Sequence, residues 1–526
     1  MEFQSLNTIL DKVKEVLATS DSRADPKSLH NSKTVTSGKT ILPQSIPPLP
    51  QDALTLPEHV LPLNRAIDRL TQHVLPYLSA SSLSSRYYGF VTGGVTPAAL
   101  IGEILAGIFD QNNAVHLPQE SISTNVEVAA LNMLVDLFQL PKDEWATGTG
   151  GNGGGVFTTG ATASNILGLA LGREFGMRQR VRSVSGKEMS VAEHGLLAVT
   201  AAADVDHVKV LSTLPHSSVA KAAGVLGIGR TQVVSIIKEG TVMDVDVDML
   251  ESLVEDGERE RTVYILAISA GEVNTGHFAT GSGEVMSKVR EICDRYGVWV
   301  HVDGAMGLFA RLLVGCRNMS DYEQLIRGVK GLELADSIGT DGHKLLNVPY
   351  DCGVFFTKHK NLSEQVFSNG NAAYLKSTTE DQVQSPLNIG LENSRRFRAL
   401  PVYTSLSAYG REGYVDMLER QIRLSRKVAA WLDESEHYEV LPSYDVEKKN
   451  DMLAKTFMIV LFRAKDEGIN SKLVQMVKSD GRIYVSGSMW ENTPACRLAV
   501  SNWRVNVEED FNTIKNVLEQ VAKPSS

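Results

Sequence analysis

The 526-residue sequence has few cysteines and no recognisable metal-binding spacing. Its four cysteines, Cys293, Cys316, Cys352 and Cys496, are too widely spaced for a dense disulfide scaffold or a paired-cysteine metal site. A reducing, cytoplasmic location is therefore predicted. The histidines show no H-E-x-x-H or other metal-ligand pattern, so no metal site is predicted.

Long apolar runs and an excess of basic residues are also missing. No stretch reaches the roughly 18 apolar residues that a membrane span needs, so no membrane partner is expected. The N-terminal MEFQSLNTILDKVKEVL contains acidic residues and no unbroken apolar core, which argues against a secretory signal. Lys and Arg total 52 against 62 Asp and Glu, a net charge of −10. Because phosphate binding needs a basic surface, nucleic acid is not an expected partner.

The remaining composition is that of a globular protein. Apolar residues make up 43% and charged residues 22%, and the length allows two or three packed units. Apolar residues at three- and four-residue steps predict an amphipathic helix over residues 2–18. The following stretch, rich in Ser, Pro, Lys and Thr, predicts a flexible linker. Residues 1–58 are therefore the first predicted segment.

Alternating apolar runs and helical patterns fill the middle of the chain. The runs lie at 208–213, 262–270 and 298–305, and helical patterns follow His216 and cover 284–297. Continuous apolar strands separated by helices predict an α/β fold whose mostly parallel central sheet is covered on both faces. After residue 410, strand patterns at 456–462, 481–487 and 496–502 alternate with helices. They predict a smaller α+β domain.

Two residues combine an ionisable group with a strand end. Asp303 follows the run VWVHV, and ligands of open α/β sheets bind beyond the carboxyl ends of their strands. Lys344 follows in DSIGTDGHKLLNVPYDCG, between a strand-like segment and a Pro-containing turn. A lysine that forms a Schiff base must sit in a partly dry pocket. A carboxylate and an amine at one sheet edge can contact opposite ends of one pyridine ring.

The segments HVDGAMG and DGHKLLNVPYDCG resemble the signature segments of group II pyridoxal-5'-phosphate (PLP) dependent amino-acid decarboxylases. The resemblance implies the fold-type-I, aminotransferase-like architecture with PLP as the cofactor. It assigns the Schiff base to Lys344 and the ring-nitrogen partner to Asp303. It also places His343 beside the phosphate and Ala305 against a ring face.

Further segments carry the same resemblance. In GVFTTGATASNILGLALGRE, Ala161 and Thr162 begin a helix whose N-terminus favours a phosphate. In VLSTLPHSSVAKAAGVLGIG, the resemblance implies that His216 stacks on the ring and orients the departing carboxylate. In AAYLKSTTEDQVQ, it implies that Tyr374 on a mobile loop protonates the carbanion. In SSRYYGFVTGGVTPAALIGEILAGIFDQN, it places Tyr87, Tyr88 and Phe90 at the substrate entrance, and these aromatic rings favour an aromatic substrate.

Two features are less typical of the family. The chain has SAGEVNTG at 269–276, where the family often has Gly-Thr-Thr, so Glu272 or Val273 replaces a hydroxyl expected near the cofactor. Pro401 stands where the family usually has Lys. The segment NSRRFRALPVYTSLSAYGREGY itself resembles the family's stretch after the mobile loop. In it, Arg396 or Arg398 is a candidate either for binding a carboxylate or for an ion pair inside a dimer.

The resemblance covers residues 60 to 505 and implies a homodimer. It divides the chain into a segment at 59–130 that packs on the dimer partner, a large PLP-binding domain at 131–405 and a small C-terminal domain at 406–526. The predicted function is decarboxylation of an L-amino acid to its amine. Decarboxylation coupled to oxidative deamination, another PLP-dependent lyase reaction, and a catalytically dead scaffold are the alternatives.

Overall fold

A computed structural model describes residues 40–43, 45–148, 151–257, 259–369, 383–444 and 449–523, together with Asp11 and Lys14. Apart from those two residues, the predicted helix at 2–18 lies outside the described part. So do residues 19–39 and 44 of the predicted linker, and the candidate Tyr374. No helix in the described part is both long enough and apolar enough to cross a membrane.

The strands of the described residues are numbered in chain order. They are β1 (Tyr87–Tyr88), β2 (Gly154–Thr158), β3 (His207–Ser212), β4 (Val233–Ser235), β5 (Thr262–Ser269), β6 (Trp299–Asp303), β7 (Ser337–Asp341), β8 (Gly353–Thr357), β9 (Tyr438–Leu441), β10 (Ile459–Ala464), β11 (Tyr484–Trp490) and β12 (Thr493–Ala499).

The α-helices with described bounds are numbered likewise. They are α1 (Leu63–His73), α2 (Pro97–Phe109), α3 (Ser123–Leu137), α4 (Lys142–Trp145), α5 (Ala161–Ser185), α6 (Val191–His194), α7 (Leu196–Ala203), α8 (Ser217–Val225), α9 (Val247–Glu255), α10 (Gly283–Tyr296), α11 (Glu323–Val329), α12 (Gly342–Leu345), α13 (Lys360–Phe367), α14 (Ala399–Glu434, kinked at Gly410), α15 (Lys449–Lys455), α16 (Glu467–Asn470), α17 (Leu473–Asp480) and α18 (Val507–Val521).

The chain divides into two compact units. One contains residues 1–94, 423–441 and 460–526, and the other contains residues 95–422 and 442–459. We call them the small unit and the large unit. The division at 1–58, 59–130, 131–405 and 406–526 stays a prediction from the sequence.

The large unit is built on a seven-stranded sheet in the order β2-β8-β7-β6-β5-β3-β4. Strand β8 runs antiparallel to both of its neighbours, and the pairs from β7 to β4 are parallel. Strands β5 and β6 are buried along their whole length, as continuous apolar strands in a parallel sheet must be. The prediction of a mostly parallel α/β sheet is confirmed.

Helix α5 lies directly against the middle of this sheet because glycines line the face that meets it. A Cβ added at Gly172 would stand 3.0 Å from side-chain atoms of Ile265 and Trp299, and one at Gly168 would collide with the His301 ring. The glycines therefore allow the helix to approach the strands closely, which brings its first turns to the carboxyl ends of β6 and β7.

The small unit contains a five-stranded sheet in the order β1-β11-β12-β10-β9. Strand β1 pairs in parallel with β11, matching Tyr87 with Tyr484, while β11 pairs antiparallel with β12 and β10 with β9. The sequence predicted strands near β10, β11 and β12, and the smaller α+β arrangement is confirmed. The pairing of β1 with β11 joins residues almost 400 positions apart and has no local sequence signal.

Candidate active site

The candidate site begins at the carboxyl ends of two neighbouring parallel strands. Asp303 ends β6 and Asp341 ends β7, and Asp303 lies opposite Gly339 in the ladder. The Gly304 amide donates to the Gly339 carbonyl at 2.8 Å, and the Thr340 hydroxyl donates to the Gly304 carbonyl at 3.0 Å. These bonds fix the two strand ends side by side. Two carboxylates are thus held at the edge where α/β sheets bind ligands.

Lys344 lies in the short helix α12 that follows β7. Its Nζ is 2.9 Å from Oδ2 of Asp341, and the Asp341 side chain is only 5% exposed. Oδ1 of Asp341 accepts a hydrogen bond from the Ala161 amide at 2.6 Å. Asp341 therefore connects Lys344 to the start of α5. The sequence analysis did not single it out, although an acidic residue ending a strand, three positions before the lysine, was a usable signal.

The N-terminus of α5 is prepared for an anion. The Thr158 hydroxyl donates to the Gly160 carbonyl at 3.1 Å, which orders the turn before the helix. In the first turn, the Ala161 amide donates to Asp341 and the Ala163 amide donates to the Gly160 carbonyl at 2.9 Å. The helix dipole is positive at this end. Thr162, in that turn, is half-buried and remains partly accessible to a ligand.

His343 lies beside Lys344 and is hydrogen-bonded to Cys352, the residue before β8. Its Nδ1 donates to the Cys352 carbonyl at 2.8 Å, and its ring lies 4.4 Å from the Tyr350 ring between centroids. Burial lowers the pKa of His343, so the imidazole is neutral at pH 7. In the neutral ring with Nδ1 protonated, Nε2 is a hydrogen-bond acceptor.

Asp303 is a buried carboxylate held by neutral donors. It is 7% exposed; Oδ2 accepts from Nδ2 of Asn165 at 2.9 Å, and Oδ1 accepts from the Ala305 amide at 3.3 Å. Within the described part of the chain it forms no ion pair. Buried charges in proteins are normally paired, so this carboxylate is suited to a cationic group of a ligand. Ala305 beside it is half-buried.

His216 belongs to the same network although it follows a different strand. It is the N-cap of α8, and its Nδ1 lies 2.7 Å from the Ser218 hydroxyl and 3.2 Å from the Ser218 amide. The Ser218 hydroxyl in turn accepts from Nδ2 of Asn165 at 3.0 Å. The His216 residue is exposed. Asn165 and Ser218 were not among the residues predicted from the sequence.

The predicted aromatic residues of the substrate entrance lie in the small unit. The Tyr87 ring stacks on the Tyr484 ring at 4.3 Å between centroids, and Tyr88 is completely buried. Phe90 is 68% exposed and is the one of the three with a largely accessible ring. Their role at the entrance stays a prediction, as does the role of Tyr374, which lies outside the described residues.

Glu272, one of the two residues that stand where the family often has a hydroxyl, is hydrogen-bonded within its own loop. Glu272 is 4% exposed, and its carboxylate accepts from the amides of Asn274 and Thr275 at 2.9 and 2.8 Å. It also accepts from the Asn274 side-chain amide and the Thr275 hydroxyl at 3.1 and 2.9 Å. The carboxylate therefore organises the turn after β5.

Arg396 and Arg398 each form an ion pair within the chain. Arg398 forks onto the Asp351 carboxylate at 3.0 and 3.2 Å, and Arg396 pairs with Glu103. Pro401 packs against α2, where a Cβ added at Gly102 would stand 2.7 Å from its Cα. Each arginine thus has a carboxylate partner without a substrate.

Sequence comparison matches the chain to known proteins. Residues 47–451 match the family profile described as the pyridoxal-dependent decarboxylase conserved domain. The chain is 29% identical over 387 residues to the L-2,4-diaminobutyrate decarboxylase of Acinetobacter baumannii, covering 71% of this chain and 69% of that one. It is 23% identical to an aromatic-L-amino-acid decarboxylase of Catharanthus roseus, covering 80% and 76%.

A solved structure shows that the fold is shared. The crystal structure of Oryza sativa TDC with PLP and tryptamine superposes with a TM-score of 0.78 at 20% sequence identity, covering 99% of this chain and 98% of that one. The fold-type-I architecture predicted from the sequence is confirmed.

The donor set of the site fits PLP. The positive end of α5 and the Thr162 hydroxyl suit a phosphate, and Lys344 offers an amine for an aldehyde carbon. Asp303, buried and without a cationic partner in the described residues, offers a carboxylate for a protonated ring nitrogen. Each reactive end of the cofactor therefore has a matching group at one sheet edge.

Proposed function

The chain belongs to the pyridoxal-dependent decarboxylase family, and on that premise we propose that Lys344, Asp303, His216 and Tyr374 carry the decarboxylation of an L-amino acid to its amine. PLP is the cofactor, and when bound it supplies an electron sink for the electrons of the breaking Cα–carboxylate bond. The observation that carries the proposal is the placement of Asp303 at the end of β6 and of Lys344 just after the end of the neighbouring parallel strand β7.

Lys344 is the residue that holds the cofactor covalently and exchanges it for the substrate amine. Its side chain is 22% exposed, which leaves the amine reachable while most of the lysine stem is packed. The Asp341 carboxylate, 2.9 Å from Nζ, holds the ammonium beside the start of α5 until the cofactor arrives. A partly dry environment of this kind is what an amine nucleophile requires.

Asp303 holds the protonated ring nitrogen. Hydrogen bonds from Asn165 and the Ala305 amide orient its carboxylate, so little reorganisation accompanies the reaction. A preorganised charge partner of this kind contributes about 3–4 kcal/mol to the lowering of a barrier. Ala305 packs against one ring face, and its small side chain leaves room for the ring.

The phosphate end is assigned to Ala161, Thr162 and His343. The positive end of α5 supplies the electrostatic attraction, and the Thr162 hydroxyl adds one donor. His343 stands beside Lys344 with its Nδ1 fixed on the Cys352 carbonyl, which directs the other ring nitrogen away from that strand.

His216 is assigned to the ring face opposite Ala305, where it also orients the substrate carboxylate. Its exposure and its position at the N-cap of α8 support this role. In this position the imidazole would hold the substrate carboxylate in the orientation that decarboxylation requires.

Tyr374 is assigned the proton transfer to Cα after CO2 has left. Positioned proton transfer contributes about 10²–10⁴-fold to a rate. A phenol at this position would favour the amine product, whereas an apolar aromatic residue would favour the aldehyde. With Tyr374 and His216 both present in the sequence, the simple decarboxylation is the proposed outcome.

We propose an aromatic amino acid as the substrate. The support is the predicted entrance segment, in which Phe90 presents a largely exposed ring. The relatives act, by their names, on aromatic amino acids and on 2,4-diaminobutyrate, so a basic diamino acid is the second candidate.

A cytoplasmic homodimer is the proposed form of the protein. Helix α2 exposes a row of apolar side chains, namely Leu100, Ile101, Ile104, Leu105, Ile108 and Phe109. Contiguous exposed apolar surface marks an interaction site, and a second copy of the chain is the proposed occupant. The four cysteines are free thiols, which supports a reducing compartment.

The test combines an absorbance spectrum of the purified protein with CO2 release over the common L-amino acids, while peroxide is monitored. We expect a bound-cofactor band that Lys344→Ala abolishes together with turnover. Lys358→Ala is the matched control, because Lys358 is a partly buried lysine paired with Glu144. A Lys344→Ala protein with near-normal turnover would contradict the assignment, and stoichiometric peroxide would replace the amine product with the aldehyde.

A further inference from the structure

A continuous hydrogen-bonded network joins the predicted ring-nitrogen partner to the predicted stacking histidine. From Asp303 it passes through Asn165 and Ser218 to His216. A branch leads from Asn165 to His301, at 2.9 Å between Oδ1 and Nε2. The branch continues to Ser337 and the Trp299 indole at 2.8 and 3.0 Å. Asn165, Ser218, His301 and Ser337 are all buried.

The charge of Asp303 fixes the orientation of the Asn165 amide. A carboxylate only accepts hydrogen bonds, so the Asn165 atom facing it must be the NH2 group. The Asn165 carbonyl oxygen therefore faces His301, whose Nε2 must donate to it. Burial lowers the pKa of His301 to about 4, so the ring is neutral and its Nδ1 accepts from the Ser337 hydroxyl.

The second N–H of the Asn165 amide determines which ring nitrogen of His216 carries the proton. It is donated to the Ser218 oxygen, which leaves the Ser218 hydroxyl proton for Nδ1 of His216. The Ser218 amide also donates to Nδ1. A neutral imidazole that accepts at Nδ1 carries its proton on Nε2. An N–H at Nε2 is the donor that a group orienting a carboxylate requires.

We propose that Asn165 is a positioning residue which, through Ser218, sets the Nε2–H form of His216 and at the same time orients Asp303 as a carboxylate. The proposal rests on the proposed roles of His216 and Asp303. It makes the group assigned to the ring nitrogen and the group assigned to a ring face interdependent, since one amide side chain serves both.

The first experiment compares binding of PLP and of its 1-deaza analogue, which lacks the ring nitrogen, to cofactor-stripped full-length protein. In Asn165→Ala we expect the affinity for PLP to fall about tenfold, the effect of one lost hydrogen bond to a charged group, and the affinity for the analogue to fall much less. Asn132→Ala is the control, because Asn132 bonds the Thr147 backbone and should leave the affinity ratio unchanged.

The second experiment measures the tautomer of His216 by ¹⁵N chemical shifts in histidine-labelled, cofactor-loaded protein, with His216→Gln used for assignment. We expect Nε2–H in the wild type and a mixture of tautomers in Ser218→Ala. Ser212→Ala is the control, because the Ser212 hydroxyl donates to the Ala267 carbonyl at 2.6 Å. Ser218→Ala removes only a hydroxyl. Its His216 tautomer therefore still tests the proposal if Asn165→Ala does not fold.

The outcomes separate this proposal from the proposed function. If Asn165→Ala loses affinity equally for PLP and the analogue, or if wild-type His216 carries its proton on Nδ1, the positioning role is wrong while Lys344 chemistry stands. If the wild type shows no preference for PLP over the analogue, the assignment of Asp303 fails. The tautomer measurement then still decides whether the network sets the His216 proton.

Discussion

Lys344 Nζ lies 2.9 Å from Oδ2 of Asp341, whose other oxygen accepts the Ala161 amide at 2.6 Å. One carboxylate thus joins the lysine after β7 to the first residue of α5. Asp341→Ala would leave a buried amide and a partly buried ammonium without their acceptor.

We expect Asp341→Ala to lower the free energy of unfolding by about 1–3 kcal/mol, the usual cost of unsatisfied buried donors. Chemical denaturation measures this loss. Asp341→Asn keeps an acceptor for the Ala161 amide and should lose less. Equal stability of Asp341→Ala and wild type would show that the contact contributes nothing to folding.

Gly168 determines how closely α5 approaches the sheet. A Cβ at this position would collide with the His301 ring, and an overpacked core costs about 1–3 kcal/mol. We expect Gly168→Ala to lower the melting temperature and to weaken PLP binding, because His301 bonds Asn165 beside Asp303. The control is Gly281→Ala, where a Cβ would meet open space and stability should hardly change.

His301 makes folding sensitive to acid. Burial lowers its pKa from 6.5 to about 4, so between these values the unfolded chain binds a proton that the folded chain does not. Stability therefore falls as the pH drops through this window, by up to about 1.4 kcal/mol per pH unit for one proton. His277, whose pKa burial also lowers to about 4, adds to the same trend.

His301→Gln should reduce this pH dependence, as measured by denaturation midpoints from pH 7 to pH 4.5. The exposed His73 provides the control, since His73→Gln should leave the slope unchanged. An unchanged slope in His301→Gln would mean that His301 does not stay neutral in the folded protein.

The apolar face of α2 predicts the assembly state. Ile104 and Ile101 are 41% and 59% exposed. A charge placed among them would be buried in a dimer at high cost. We expect Ile104→Glu to shift the protein to monomer at micromolar concentration in sedimentation analysis. Leu197→Glu on α7 is the control, because Leu197 is 86% exposed in another helix. A wild-type monomer would overturn the proposed homodimer.

The sequence by itself determined the parallel sheet and the two residues at its edge. Buried parallel strands need continuous apolar runs, so the runs predicted at 208–213, 262–270 and 298–305 correspond to β3, β5 and β6. Asp303 and Lys344 were recognisable because an ionisable residue following such a run, in a family-like segment, is a local feature.

Tertiary structure alone decided which side chains join those residues. Asn165 reaches Asp303, 138 positions away, because the glycine face of α5 lets the helix lie on β6. Ser218 and Asp341 enter the site through similar long-range contacts. Local patterns report burial and periodicity, whereas a hydrogen bond between distant residues depends on how the strands and helices pack together.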